Sequence, residues 1–349
     1  MSDSFNPSER TTPHRRRRRY SGKHPRHFAE KYKEHDPARY GETVTKVLAS
    51  GKTPAGSHRP IMVKEVLEIL APKPGEIVVD CTLGFGGHAA EILPLLQPGG
   101  LLIGLDADPI ELPRTEARLR ARGYLEASFL AARSNFAGIP KLLSSLDVAA
   151  ADAVLADLGV SSMQLDDPVR GFSLKFEGPL DMRMNPHRGQ TAAGLLRKIS
   201  ADALTTILTD NADEPHATVL ATALAGKAFA TTTALTQAIR AVLHHLQKDE
   251  QDASVRRVFQ ALRISVNDEF SALESLLRAL PGILKPGGRA AILTFHSGED
   301  RRVKKSFQAG LAAGLYSDIA REVIRPAPEE RHANPRSAPA KLRWAIRAS

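Results

Sequence analysis

The chain has 349 residues, 42% of them hydrophobic and 25% charged, which is enough to bury one large core or two modest ones and excludes a wholly disordered or fibrous chain. Its single cysteine, Cys81, excludes a disulfide framework and a cysteine-rich zinc module, and no apolar run approaches the roughly 20 residues needed to cross a bilayer, so a soluble protein without a membrane partner is expected. The net charge of +9 is uneven: residues 1–50 hold 12 Lys/Arg against 6 Asp/Glu and residues 285–349 hold 13 against 6, while the rest holds 23 against 27, a polarity that fits a polyanion held at the edges or a solubilising tail.

From Met1 to about Gly56 the chain is polar, carries five consecutive arginines from Arg15 to Arg19, and lacks the apolar stretch of a secretory signal. A flexible basic arm and a cytoplasmic location are expected. Ile61, Met62, Val66, Leu67, Ile69 and Leu70 then space as a short amphipathic helix, which Pro72 to Gly75 stops. Apolar runs follow at Ile77–Val79, Leu101–Leu105 and Ala153–Leu155, ending in Asp80, Asp106 and Asp157, and another at Ala290–Phe295 after Pro286-Gly287-Gly288. Short apolar runs closed by acids and separated by helix-length segments predict a parallel sheet in an α/β fold, with functional groups at the carboxyl ends of its strands.

Between Asp157 and Pro286 the period changes to 3.6, as in Leu235, Ile239, Val242, Leu243 and Leu246, or Val258, Phe259, Leu262, Val266, Phe270 and Leu273. About a hundred helical residues thus interrupt the alternation. The organisation read from this pattern is an arm over 1–56, a first α/β part over 57–165, a helical insert over 166–265 serving substrate recognition, and a second α/β part over 266–349. The last of these closes on a strand around Leu342, Trp344 and Ile346.

Asp80-Cys81-Thr82-Leu83-Gly84-Phe85-Gly86-Gly87-His88 places glycines after a strand and before a helix, where a ligand approaches the backbone closely. With Ala89 it also satisfies a dinucleotide fingerprint, so an NAD-dependent oxidoreductase competes at this point. Asp106 ends the next strand, 20 residues after Gly86, where a carboxylate can accept hydrogen bonds from a ribose diol. The plainer roles are turn glycines, a helix cap at Asp106 and a first-turn histidine at His88.

The stretch Asp157-Leu158-Gly159-Val160-Ser161-Ser162-Met163-Gln164-Leu165-Asp166-Asp167, followed by Arg170-Gly171-Phe172-Ser173 and Gly178 to Met184, is long, polar and without an explanation in packing. It closely resembles the RsmH (MraW) family, S-adenosylmethionine-dependent enzymes that methylate N4 of a cytidine in bacterial 16S rRNA. Further matching stretches (DCTLGFGGH, LDADP, RGQTAAGLL, FQALRISVNDE, LKPGGR, FHSGEDRRVK, NPRS) carry the resemblance from His58 to the C-terminus. It implies a class I S-adenosylmethionine-dependent methyltransferase fold, Rossmann-like, with an inserted helical domain. By motif it implies cofactor contacts at Gly86, Gly87, His88, Asp106, Phe136, Asp157 and Gln164, no metal, and 16S rRNA in the small ribosomal subunit as partner. The family's usual Tyr-Gly-Glu-Glu element is Asn211 to Glu214 here, its usual insert arginines are replaced around His216 to Thr218, a common tryptophan is Ser265, and a common leucine is Gly298. The oligomeric state stays open, a homodimer among the options.

Methylation of an exocyclic amine is an in-line displacement that positions two reactants and must tolerate positive charge developing on nitrogen. A carboxylate accepting an amino hydrogen stabilises that charge, which makes Asp157 the catalytic candidate, with a role only in holding the cofactor as the alternative. Methylation at pyrimidine C5 needs a thiolate, and the one cysteine lies inside the glycine stretch. A binding factor without catalysis would explain the charged ends but not Asp106 together with the glycines.

Overall fold

The computed structural model describes residues 60–349, so the proposed arm over 1–56 lies outside the described residues. The first strands and helices alternate: α1 (Val63–Leu70), β1 (Ile77–Asp80), α2 (Gly87–Leu96), β2 (Leu101–Asp106), α3 (Glu111–Ala121), β3 (Phe129–Arg133), α4 (Ile139–Ser145) and β4 (Ala151–Asp157). β1, β2 and β4 are buried along most of their length, because helices cover both faces of the parallel sheet and leave no face for polar alternation. β3, Phe-Leu-Ala-Ala-Arg, is not among the strands legible from the sequence pattern.

After β4 come α5 (Ser162–Asp166), α6 (Ala192–Lys198), α7 (Ala201–Ala212), α8 (Ala217–Leu224), α9 (Thr232–Val242), α10 (Lys248–Asn267) and α11 (Glu269–Ile283). The chain closes with β5 (Leu284–Thr294), α12 (Ser297–Ala312), β6 (Tyr316–Ile319), α13 (Pro328–Ala333) and β7 (Lys341–Arg347). The 3.6-period run from Val258 to Leu273, which reads as one stretch, is two helices. Asp268 between them is left-handed, with φ 52° and ψ 40°, and the spacing hides the break because Phe270 and Leu273 resume the same phase. α10 belongs to a helical core with α6 to α9, whereas α11 packs on the sheet.

The sheet order is β3-β2-β1-β4-β5-β7-β6, with β1 to β5 parallel and β7 antiparallel to both β5 and β6. On one face α1, α2 and α3 contribute Val66, Leu70, Ile92, Leu93 and Leu119 to a core that also holds Leu102 and Leu155. On the other, α4, α11 and α12 contribute Ile139, Leu276, Leu280 and Phe307 against Ile103, Val154 and Ile292. A third cluster, around Leu196, Leu208, Leu220, Leu235, Val258 and Leu262, belongs to the helices between β4 and β5. Each large side chain so buried stabilises the fold by about 1.5–3 kcal/mol relative to exposure, before conformational entropy is counted.

Candidate active site

The carboxyl edge of the parallel strands opens into a cavity of about 460 Å³, within the range of small-molecule sites. Sheet order sets what stands where: Asp106 ends β2, the glycine loop follows β1, Asp157 ends β4, and Phe295 and Glu299 follow β5. Successive strands are added to one side from β1 to β3 and to the other from β4 to β5, which makes the gap between β1 and β4 the switch point at which α/β sheets receive ligands.

The glycine loop is positioned by close packing. Leu83 lies on β2 where Gly104 leaves room, since a Cβ on Gly104 would stand 2.8 Å from Leu83 Cδ1. Gly86 has φ 77° and precedes α2 without a side-chain cap; a Cβ there would meet Thr115 Cγ2 at 2.8 Å. Gly86 therefore faces α3, and among the seven residues assigned to the cofactor it alone is absent from the cavity lining. Gly87, His88, Asp106, Phe136, Asp157 and Gln164 all line it.

Asp106 accepts the Gly84 N–H on Oδ2 and the Asp108 N–H on Oδ1, both at 2.8 Å. Each oxygen keeps a second lone pair for a hydroxyl donor. Burial, partly offset by the Asp108 N–H bond, pushes its carboxyl up to about 6. Phe136 opens a short turn after β3, whose preceding Asn135 caps it by accepting the Ala137 N–H at 2.9 Å.

His88 is 7% exposed and its Nε2 lies 3.0 Å from the Ile61 carbonyl oxygen, an acceptor, so that nitrogen carries the proton. Burial holds the ring neutral by pushing its pKa down, against the pull of Asp80. The unprotonated Nδ1 then faces Asp157 Oδ2 at 3.7 Å. Asp157 donates its backbone N–H to Thr82 Oγ1 at 2.7 Å, while its carboxylate has no hydrogen bond among the described residues. Burial, with the negative charge of Glu299 adding to it, pushes Asp157 up to about 7. Asp80, beneath the loop, is likewise raised by burial, to about 6.

Gln164 sits third in α5, where Ser161 and Gln164 form a reciprocal capping box: Gln164 N–H donates to Ser161 Oγ at 3.2 Å and Ser161 N–H to Gln164 Oε1 at 2.9 Å. Its Nε2 donates to Asp108 Oδ2 at 2.8 Å, and Arg170 Nη1 donates to the same oxygen at 2.7 Å. Arg170 also reaches the Arg183 and Met184 carbonyls, at 3.2 and 2.8 Å. Asp108, with 0% exposure, thus ties the block after β4 to the loop after β2. Sequence reasoning missed it, although an acid two residues after Asp106 and an arginine inside the block were the available signal.

Also missed was the wall beyond Asp157. α10 ends on Arg263 and Asn267, and Asn267 fastens that end by accepting the Met184 N–H at 2.7 Å and donating to the Met182 carbonyl at 2.8 Å. Arg263 donates two 2.9 Å bonds to Glu269 across the break at Asp268. Glu299, third in α12, completes the wall. Arg336, at the rim, bonds Asp166 at 2.6 Å.

A seven-stranded sheet in this order with a reversed β7, a glycine loop after β1 and an acid at the end of β2 defines the class I methyltransferase fold. Residues 55–348 match the MraW methylase family, and the chain belongs to that family. "Ribosomal RNA small subunit methyltransferase H 2" of Alkaliphilus metalliredigens is 50% identical over 342 residues, covering 95% of this chain and 97% of that one. "Ribosomal RNA small subunit methyltransferase H 1" of Lachnoclostridium phytofermentans is 47% identical over 352 residues, covering 98% and 96%. The Anaeromyxobacter sp. (strain K) relative, "Ribosomal RNA small subunit methyltransferase H", is 41% identical over 82% of this chain.

Proposed function

We propose that the protein transfers a methyl group from S-adenosylmethionine to the exocyclic N4 of one cytidine in 16S rRNA of the small ribosomal subunit. The observation that carries this reading is the carboxylate of Asp157, half-buried at the end of β4, without a hydrogen bond among the described residues, and facing the cavity between the glycine loop and the β5 wall. The residues fit the cofactor. Asp106 keeps lone pairs for a ribose diol, Phe136 offers a ring to the adenine, and the acids Asp106, Asp157 and Glu299 on the cavity wall suit a positively charged ligand. S-adenosylmethionine, when bound, supplies a methyl group on a positively charged sulfur.

Asp157 takes a hydrogen of the target amine and so favours charge on nitrogen as the bond forms. Cys81 lines the cavity, yet burial holds its thiol protonated, well above the usual range, with the Asp80 charge adding to the effect. Addition of sulfur to the base, the route to C5 methylation, has no nucleophile here. The target edge of cytosine is its pairing edge, so the base is unpaired when it enters.

Residues 166–265 are the part of the chain we assign to receiving the RNA. Their 12 basic and 11 acidic residues give no broad basic groove, so phosphate contacts fall to the charged ends, including the arm over 1–56 and the basic residues after β5. Among the described residues no helix is long and apolar enough to cross a membrane, and a cytoplasmic site of action follows from the proposed substrate.

The test uses small subunits, naked rRNA, bulk tRNA and DNA from cells lacking this gene, each incubated with labelled S-adenosylmethionine and the enzyme. Label in 16S rRNA at one N4-methylcytidine, strongest with ribosomal proteins bound, is expected. Equal label in tRNA or DNA, or a product that runs as 5-methylcytidine, overturns the reading.

A further inference from the structure

Asp157 is flanked on both sides, and the sides differ in chemistry. Toward β1 stand Thr82, which takes the Asp157 N–H, the neutral His88 ring, and Asp80 beneath the loop. Toward β5 stand Glu299, the His296 ring and the Arg263–Glu269 ion pair, to which the reading above gives no work.

Glu299 is 3% exposed and lines the cavity. Its Oε2 accepts the Phe295 N–H at 2.8 Å, and His296 Nε2 lies 3.2 Å from Oε1. Burial alone would raise its carboxyl, but the His296 ring and the Arg263 guanidinium outweigh it and hold Glu299 below the usual range. Part of this is structural, because the Phe295 bond closes the first turn of α12. A helix turn, however, needs one oxygen, and neither the His296 ring nor the Arg263 guanidinium beside the carboxylate. Each carboxylate oxygen has two lone pairs, so Glu299 keeps acceptor capacity on the cavity side. A buried ionised acid walling a cavity beside a second, half-buried acid is costly unless the space between them holds N–H groups or positive charge.

An aromatic amine offers two N–H bonds and one lone pair. Resting on the methyl-transfer reading above, we propose that Glu299 is a second catalytic carboxylate, accepting one hydrogen of the target amine while Asp157 accepts the other, so that the amine is held between the ends of β4 and β5. With both hydrogens engaged, conjugation of the lone pair into the ring is weakened and its direction is fixed toward the methyl group. As the nitrogen lone pair forms the new N–C bond, the C–S pair stays on sulfur and nitrogen takes the positive charge. Its proton passes to Asp157, the weaker acid of the two, and then to water, while Glu299 stays ionised. Arg263, whose Nη1 makes no hydrogen bond among the described residues, lines this wall as a donor for the ring acceptors of the base.

The test uses the full chain with S-adenosylmethionine and small subunits from cells lacking the gene. Glu299→Gln keeps an oxygen for the Phe295 N–H and removes the charge. Turnover is expected to fall about 100-fold, with the subunit KM and cofactor Kd within about threefold of wild type, and the acid limb of the kcat profile moving to lower pH. His296→Asn keeps a capping acceptor for α12 but removes the ring beside Glu299, and the limb moves to higher pH. The groups that set these shifts are His88, Asp80 and Glu299 around Asp157, and His296, Arg263 and Glu269 around Glu299. Wild-type turnover and an unmoved limb in Glu299→Gln overturn the proposal. Should Glu299→Gln melt or lose the cofactor, an unmoved limb in His296→Asn overturns it. A wild-type enzyme that fails to methylate N4 of a cytidine is a separate failure, that of the methyl-transfer reading itself, and takes this proposal with it.

Discussion

The helices between β4 and β5 and the carboxyl edge of the sheet treat polar groups in opposite ways. In the helical segment Thr191, Ser200 and Thr231 each accept an N–H at the start of α6, α7 and α9, and Gln247 and Glu250 cap α10 reciprocally. Local sequence and fold agree there, as in a part selected to be stable. At the sheet edge α2 starts on Gly86 without a side-chain cap, three acids sit above their ordinary carboxyl range, and the Asp157 carboxylate has no hydrogen bond among the described residues. The lesson is one of division: stability is gathered away from the cavity, and the cavity keeps binding capacity unspent in the ligand-free protein.

The sharpest break in this contrast is Asp157→Asn, which keeps size and one acceptor but loses charge. Turnover at saturating cofactor is expected to drop about 10²–10³-fold while melting temperature holds or rises, since a costly buried acid is gone. Steady-state kinetics with a thermal scan checks it; retained turnover with lost cofactor affinity would restrict Asp157 to cofactor binding. Leu208→Ala, in the third core, is the mirror experiment. Leu208 has 0% exposure, and its truncation should cost about 2–5 kcal/mol in denaturant unfolding while cofactor affinity in the folded protein is unchanged.

Asp106→Ala lies between the two, because Asp106 both faces the cavity and holds the Gly84 and Asp108 N–H groups. Cofactor affinity should fall at least about tenfold by calorimetry, with a measurable loss of stability besides. An unchanged dissociation constant would remove Asp106 from the site.

The gentlest test is pH. Asp106 and Asp157 are raised to about 6 and about 7, so the folded protein holds protons that the unfolded chain has already released near pH 4. Stability of the ligand-free protein is therefore expected to decline as pH rises from about 4 to about 7. Cofactor binding carries the opposite sign, because the ionised acids are the better acceptors for its hydroxyls and its positive charge. Affinity should improve by about tenfold over the same range. A stability curve that rises through this window would show that other groups dominate.

What the sequence disclosed and what it hid follow the same division. β1, β2 and β4 were legible because apolar runs end in acids, and the glycine loop because it follows one of them. β3 hid because Phe-Leu-Ala-Ala-Arg is short and partly alanine, and β6 because Tyr-Ser-Asp-Ile is half polar at the sheet margin. Six of the seven residues assigned to the cofactor share one cavity, while Gly86 packs closely on Thr115, a demand for glycine that no spacing rule distinguishes from ligand approach. The Arg263, Glu269 and Glu299 wall was invisible for another reason. Its members lie on α10, α11 and α12 and meet only through the break at Asp268 and the return of the chain to the sheet.

The placing of β5 beside β4 has a consequence for synthesis. Asp157 and Leu293 are register partners, yet β4 leaves the ribosome 127 residues ahead of the start of β5, a gap on the order of ten seconds at common translation rates. Through that interval the nascent chain carries four strands whose outermost edge is Ala-Asp-Ala-Val-Leu-Ala-Asp, open to pairing with any passing strand. The two aspartates at positions 152 and 157 bracket this edge with like charge, and the helices made meanwhile are built from local contacts, which form fastest. The strand that bears the proposed catalytic acid is thus also the one whose partner arrives late, with an aspartate near each of its ends.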